Sequence, residues 1–196
     1  MKIYFVASPR VVFEKPEMFR KIHHHLAKDN KMLSDGLLRW TDPKGGFKKA
    51  SDVLTVSHEE MVKKVDAALD MVRKADVIIM EISGHSMSMG YLTAKALEIS
   101  KPVIYLQMEN SDLHWMDGLE HPKLRSFKYD ENNVLEVLDQ ALESAQDLVD
   151  VRFNFFVNPK ILAYLDWVAK NRMQPRSVFL RNLIEKQMRK EREFKK

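Results

Sequence analysis

Apolar residues in the first 150 positions alternate between two patterns. Short continuous runs rich in β-formers read as buried strands: residues 2–7 (KIYFVA), closed by Ser8-Pro9 and a loop, then 76–81, 103–107 and 125–129. Between them the apolar positions recur at helical spacing. Residues 17–28 place Phe19, Ile22, Leu26 and Ala27 on one face. Ser57 opens a helix as N-cap with Glu60 three residues on, and Met61, Val65, Ala68, Leu69 and Val72 form its inward stripe. Further helices are predicted over 88–100, ended by Lys101-Pro102, and over 132–148, with Val134, Leu138, Ala141, Leu142 and Ala145 inward. The stretch from Thr41 to Lys48 is turn chemistry and reads as a loop. Alternating strands and helices predict an α/β doubly wound parallel sheet of about five strands, with ligand chemistry at the carboxyl ends of the strands. The site walls are expected from 8–13, from 81–91 and from the loop after Gln107.

After Asp150 the pattern changes. Residues 151–157 alternate, Phe153, Phe155 and Val157 on one face and Arg152, Asn154 and Phe156 on the other, as in a half-buried strand. Asn158-Pro159 supplies a helix start, followed by Ile161, Leu162, Leu165, Trp167 and Val168. Pro175-Arg176-Ser177 begins a second helix through Leu180, Leu183, Ile184 and Met188. A strand and two helices within about 46 residues cannot bury this much apolar surface alone, and pairing two copies solves the problem. Two domains are therefore expected, 1–149 and 150–196.

Charge sharpens the division. From Val151 onward twelve Lys and Arg face four Asp and Glu, whereas residues 1–150 carry twenty against twenty-four. The basic segment suits a polyanion or an acidic partner, or simply a solvated surface. No apolar run approaches the ~20 residues of a membrane span, and residues 1–6 are too short for a signal peptide, so a cytoplasmic protein without membrane contact is expected. With no cysteine, disulfides and thiolate chemistry are excluded, and a metal would need His and carboxylates. His23, His24 and His25 point about 100° apart on a helix and cannot share one ion, so neither metal nor cofactor is expected.

Two resemblances add to this reading. The alternating strand, the Asn-Pro helix start and the Arg176-Ser177-x-x-Leu180-x-x-x-Ile184 pattern resemble the ribbon-helix-helix family. That resemblance implies a dimer whose paired strands enter the DNA major groove, with Arg152, Asn154 and Arg176 as DNA-binding residues. Phe156 departs from it, since a phenyl ring offers no hydrogen bond to a base edge.

In the first domain, Tyr4-Phe5-Val6-Ala7-Ser8-Pro9-Arg10, the run from Ala75 to Ser83 and Ser86-Met-Ser-Met-Gly90-Tyr91 resemble the nucleoside 2-deoxyribosyltransferase family, especially its 2'-deoxynucleoside 5'-phosphate N-hydrolase branch. The likeness spans residues 2–145 in order and implies a flavodoxin-like sheet with a nucleotide pocket. Tyr4, Ser8 and Arg10 would then lie beside sugar and phosphate, Ser86 and Gly90 would form a phosphate cradle at a helix N-terminus, and Glu81 and Met116 would line the pocket. The family's chemistry needs two carboxylates. The nucleophilic Glu position falls on Leu92 and the Asp position on Ala68; a lost nucleophile costs orders of magnitude in rate. Asp66 and Asp70 are turned away from Ala68 by about 200° of helix rotation, which leaves Glu81 as the one candidate substitute catalyst.

The combination predicts a catalytically inactive nucleotide-binding sensor coupled to a homodimeric or higher-order, DNA-binding tail, with double-stranded DNA as a partner. The alternatives are an active nucleotide N-glycosidase or 2-deoxyribosyltransferase whose tail only oligomerises, and a structural oligomer without a small ligand.

Overall fold

The computed structural model describes residues 1–34, 57–84, 86–111, 118–149 and 154–191. The chain divides into two compact units, Met1–Asp150 and Val151–Lys196.

Five strands of the first unit are described: β1 (Lys2–Ala7), β2 (Lys31–Met32), β3 (Val77–Glu81), β4 (Val103–Met108) and β5 (Leu124–Tyr129). They form one sheet in the order β2-β1-β3-β4-β5, every neighbouring pair parallel. This is the flavodoxin-like doubly wound arrangement. Helices α1 (Pro9–Glu14), α2 (Pro16–Ala27), α3 (His58–Lys74), α4 (Met87–Glu98) and α5 (Val134–Leu148) cover it. All five residues of β3 are buried, as a central parallel strand requires. One face, with Ile3, Phe5, Ile79 and Leu106, carries Val12 of α1, Phe19 and Ile22 of α2 and Leu138 and Ala141 of α5. The other, with Tyr4, Ile78, Met80 and Tyr105, carries Val72 of α3 and Met89 and Ala96 of α4.

The local chemistry explains most boundaries. At the start of α3, Glu60 N–H donates to Ser57 Oγ at 3.2 Å and Ser57 N–H to Glu60 Oε2 at 3.0 Å, a complete capping box. The C-terminus of α4 ends with Lys101 N–H donating to Ala96 C=O at 2.9 Å and Ser100 N–H to Leu97 C=O at 3.0 Å. Ser100 takes φ 57° there, a Schellman closure built on a residue with a Cβ.

Three differences from the sequence reading have physical causes. The loop expected at Ser8-Pro9 is instead the start of α1, because proline at the first helical position has a suitable φ and needs no N–H partner. β2 was not anticipated, since two residues carry no periodicity. The stripe of α3 is not buried throughout: Val72 is covered, whereas Met61 and Val65 are exposed. Seventeen helical residues extend about 25 Å, beyond a strand layer of about 17–20 Å. The Thr41–Lys48 loop lies outside the described residues.

In the second unit, α6 (Pro159–Asn171) begins as its sequence predicts, with Ile161 N–H donating to Asn158 Oδ1 at 2.9 Å. It packs with α7 (Arg176–Met188). Tyr164 stacks on Trp167 at 6.2 Å and meets Phe179 edge-on at 6.1 Å, while Arg172 lies over the Phe179 ring at 5.8 Å. Residues 151–153 of the expected strand lie outside the described residues, and 154–158 have no regular structure. A strand is defined by its partner, and among the described residues none pairs with 154–158.

Candidate functional site

The carboxyl edge of a doubly wound sheet gathers loops from neighbouring strands, and here it gathers polar groups. Glu81, last residue of β3, is fully buried with 0% exposure. Strand alternation turns it to the α1/α2/α5 face, in register with Ile79. Its Oε1 accepts from Tyr129 Oη at 3.1 Å, from Ser83 N–H at 3.3 Å and from the Ser83 hydroxyl. Ser83 Oγ in turn accepts from Met108 N–H at 2.7 Å. The ends of β3, β4 and β5 are thus tied through one carboxyl group.

Glu81 Oε2 has no hydrogen-bond partner, and no cation joins the described hydrogen-bond network. Burial pushes the carboxyl above its usual range, opposed in part by the donors from Ser83 and Tyr129. Tyr129 is pushed upward as well, first by burial and then by the neighbouring carboxyl. The arrangement suits a neutral acid held by hydroxyl donors.

The β1–α1 junction and the loop after β3 approach one another closely. A Cβ on Gly84 would overlap Val11 Cγ2 and stand 3.0 Å from Ser8 Cβ and 3.1 Å from Ser8 Oγ. Only glycine allows this crossing without displacement. Ser8 is buried beneath it. Arg10, in the first turn of α1, is exposed and has no side-chain partner among the described residues. Ser86 stands at the N-cap position of α4 without a side-chain cap hydrogen bond, and its Oγ lies 2.8 Å from Ser88 Oγ. Gly90 stands one turn on, where an added Cβ would touch nothing within 4 Å. Tyr4 is different: it lies mid-strand, buried in the α3/α4-face cluster, and burial raises its phenol pKa.

The two positions corresponding to the family's acids are apolar and share that same cluster. Leu92 is 7% exposed, and Ala68 packs partly buried against the group containing Met89 and Tyr4. Glu81 faces the opposite side of the sheet. Asp66 is exposed and Asp70 pairs with Lys74 at 2.5 Å. Ser8, Glu81 and Ser86 are therefore associated with the carboxyl edge, Tyr4 is not, and Met116 lies outside the described residues. For the tail, Arg152 is outside them too, Asn154 is exposed, and Arg176 forms an ion pair with Asp166.

Sequence reasoning did not single out Ser83, Gly84 or Tyr129. A lone glycine directly after a buried strand is a usable signal of close backbone approach; the Tyr129 contact, 48 residues from Glu81, leaves no local trace. Among the described residues no group of three His, Asp or Glu side chains could hold a metal, and no helix is long and apolar enough to cross a membrane.

No protein-family profile matches the chain, and no curated protein matches it. Among solved structures, it is similar to a CMP N-glycosidase from Clostridium botulinum at 15% identity and a TM-score of 0.44, over 71% of this chain and 99% of that one. A likeness of this size says nothing of chemistry.

Proposed function

We propose that the first unit is a nucleotide-binding sensor without glycosidase chemistry, and that the second unit is a ribbon-helix-helix-like homodimerisation module that contacts double-stranded DNA. The observation carrying the first part is the packing of buried Leu92 and partly buried Ala68 into one apolar cluster, where the resembled family's reaction requires two carboxylates. Glu81 is no replacement, because it faces the other side of the sheet and is engaged by Ser83 and Tyr129. What supports ligand binding is the sequence resemblance together with Arg10, unpaired among the described residues, and the N-terminus of α4, which has no side-chain cap hydrogen bond from Ser86, both suited to an anion.

Dimerisation is supported by the apolar surface that the second unit leaves open. Trp167 is 53% and Ile184 57% exposed, with Ile161, Leu162, Tyr164 and Leu183 also uncovered. The net positive charge of this segment supplies phosphate affinity, and Asn154 a base-edge contact.

Calorimetry with nucleoside mono-, di- and cyclic nucleotides tests the sensor. Binding that weakens with Arg10→Ala and releases no free base is expected. Absence of binding at millimolar ligand would sink it, and base release abolished by Glu81→Gln would establish the glycosidase instead. A mobility shift on duplex DNA at two salt concentrations tests the tail; retention that weakens with salt is expected, and no retention at low salt rejects DNA contact.

A further inference from the structure

The run from Arg20 to Lys28 contains Arg20, Lys21, Lys28 and three consecutive histidines without one acid, inside a unit whose charge is otherwise net acidic. The sensor reading makes no use of it. The structure gives each histidine a separate fate. His23 is buried, His25 Nε2 lies 2.6 Å from Asp139 Oδ1 of α5, and His24 is exposed.

His24 and His25 border a groove between α2 and α5 of about 460 Å³, lined also by Glu17, Arg20, Lys21, Lys28 and Leu135. None of the carboxyl-edge residues contributes to it. Arg20 is bridged at 3.0 Å to Glu17, the acid in the groove lining, and His25 is held by Asp139 of α5. Among the described residues Lys21, His24 and Lys28 have no side-chain partner.

Complementing the helix dipole accounts for basic residues in the last turn of α2, but not for Lys21 in its middle. Lys21 and Lys28 lie about 10 Å apart along the axis, with His24 between them. Two lysines on one face of α2 with the His24 imidazole between them and Leu135 beside them are matched by several linked anionic groups rather than by one.

The geometry points to a second anion site in the α2/α5 groove, taking a short chain of phosphoryl groups, two or three in line, as found in inorganic tripolyphosphate or the phosphate chain of a nucleotide. Lys21 and Lys28 meet its two ends and His24 its middle, with Leu135 beside it. The volume lies within the usual range for small ligands.

The test is calorimetry of the full-length chain with tripolyphosphate, with a nucleoside triphosphate, and with a single-stranded oligonucleotide. Tripolyphosphate binding is expected, weakening as salt rises. Lys21→Gln with Lys28→Gln should cost about tenfold, as the loss of two exposed cations near an anion implies. Both side chains are exposed, so folding should be unaffected. Lys63→Gln with Lys128→Gln, which removes the same charge from exposed positions of the first unit outside the groove, should cost nothing.

A nucleoside triphosphate binding like tripolyphosphate places recognition on the phosphates. No binding at low salt, equal losses in both double variants, or binding of the oligonucleotide alone would each overturn the proposal. So would tripolyphosphate binding removed by Arg10→Ala but not by the lysine pair, since the ligand would then occupy the carboxyl edge. The two sites can therefore fail separately.

Discussion

The two units of this chain meet the cost of apolar exposure in opposite ways. The first encloses a sheet between helices on both faces, so that Ile3, Val12, Ile79, Ile104 and Leu138 are wholly hidden. It even holds a carboxyl group, Glu81, among them, whose pKa burial pushes upward. In the second, Leu165 and Val168 are the buried apolar side chains among the described residues, while aromatic and branched side chains of α6 and α7 face solvent. A parallel sheet with two helical layers has enough volume to close on itself; two helices do not. The first unit thus covers its own apolar faces, whereas the second leaves apolar surface that its two described helices do not cover.

The largest expected effect breaks the comparison directly. Leu183→Glu with Ile184→Glu should leave the first unit intact yet raise the dimer dissociation constant by about 100-fold or more, as charge in the centre of an apolar interface does. Light scattering on a size-exclusion column reads the mass; a wild-type chain that is monomeric at high concentration would remove the contrast between the units.

Next is Gly84→Ala, which should destabilise the first unit by about 1–3 kcal/mol through overpacking against Val11 and Ser8. That corresponds to a fall of several degrees in melting temperature. Adding Val11→Ala should return part of the loss if the clash is with that side chain; strictly additive losses would show that it is not.

Glu81→Gln sharpens the picture of a closed core. Because burial raises the folded-state pKa, the wild type binds this proton more tightly folded than unfolded, and the advantage is lost as pH rises through the raised value. Glutamine does not titrate. The variant should therefore melt above the wild type at neutral pH, with the difference shrinking as pH falls below the ordinary carboxylate range. A gap that instead widened in acid would mean that Glu81 is stabilised as a charge. Smallest is Ser100→Gly, expected to raise stability by about 1 kcal/mol by relieving a left-handed residue at the end of α4. Thermal melts at one pH suffice to check it.

How far the site could be read from sequence depends on how local its determinants are. The place of Glu81 at a strand end was legible because strand ends are written in adjacent residues, whereas Ser86 entered only through the resemblance, the helix after β3 being expected from residue 88 and starting at Met87. The absence of acids at Leu92 and Ala68 was legible by matching motifs. Tyr4 was assigned to the ligand, yet its side chain belongs to the apolar face opposite Glu81, a distinction that rests on how strand alternation is turned by the sheet. The Glu81–Tyr129 contact and the crossing of Gly84 over Ser8 join segments far apart in the chain, so no window of sequence contains them.

What the sequence by itself determined is periodicity and its consequences: alternating buried strands and amphipathic helices, the caps at Ser57 and Asn158, the change of character after Asp150, and an apolar surplus in the tail. These depend on neighbours within a few residues, where backbone geometry dictates which side chains share a face. Only the tertiary structure decided the strand order, the two-residue β2, the uncovered half of α3 and the sharing of one carboxyl by three strand ends. Each follows from the relative placement of elements, and that is set by the packing of whole layers rather than by any residue and its neighbours.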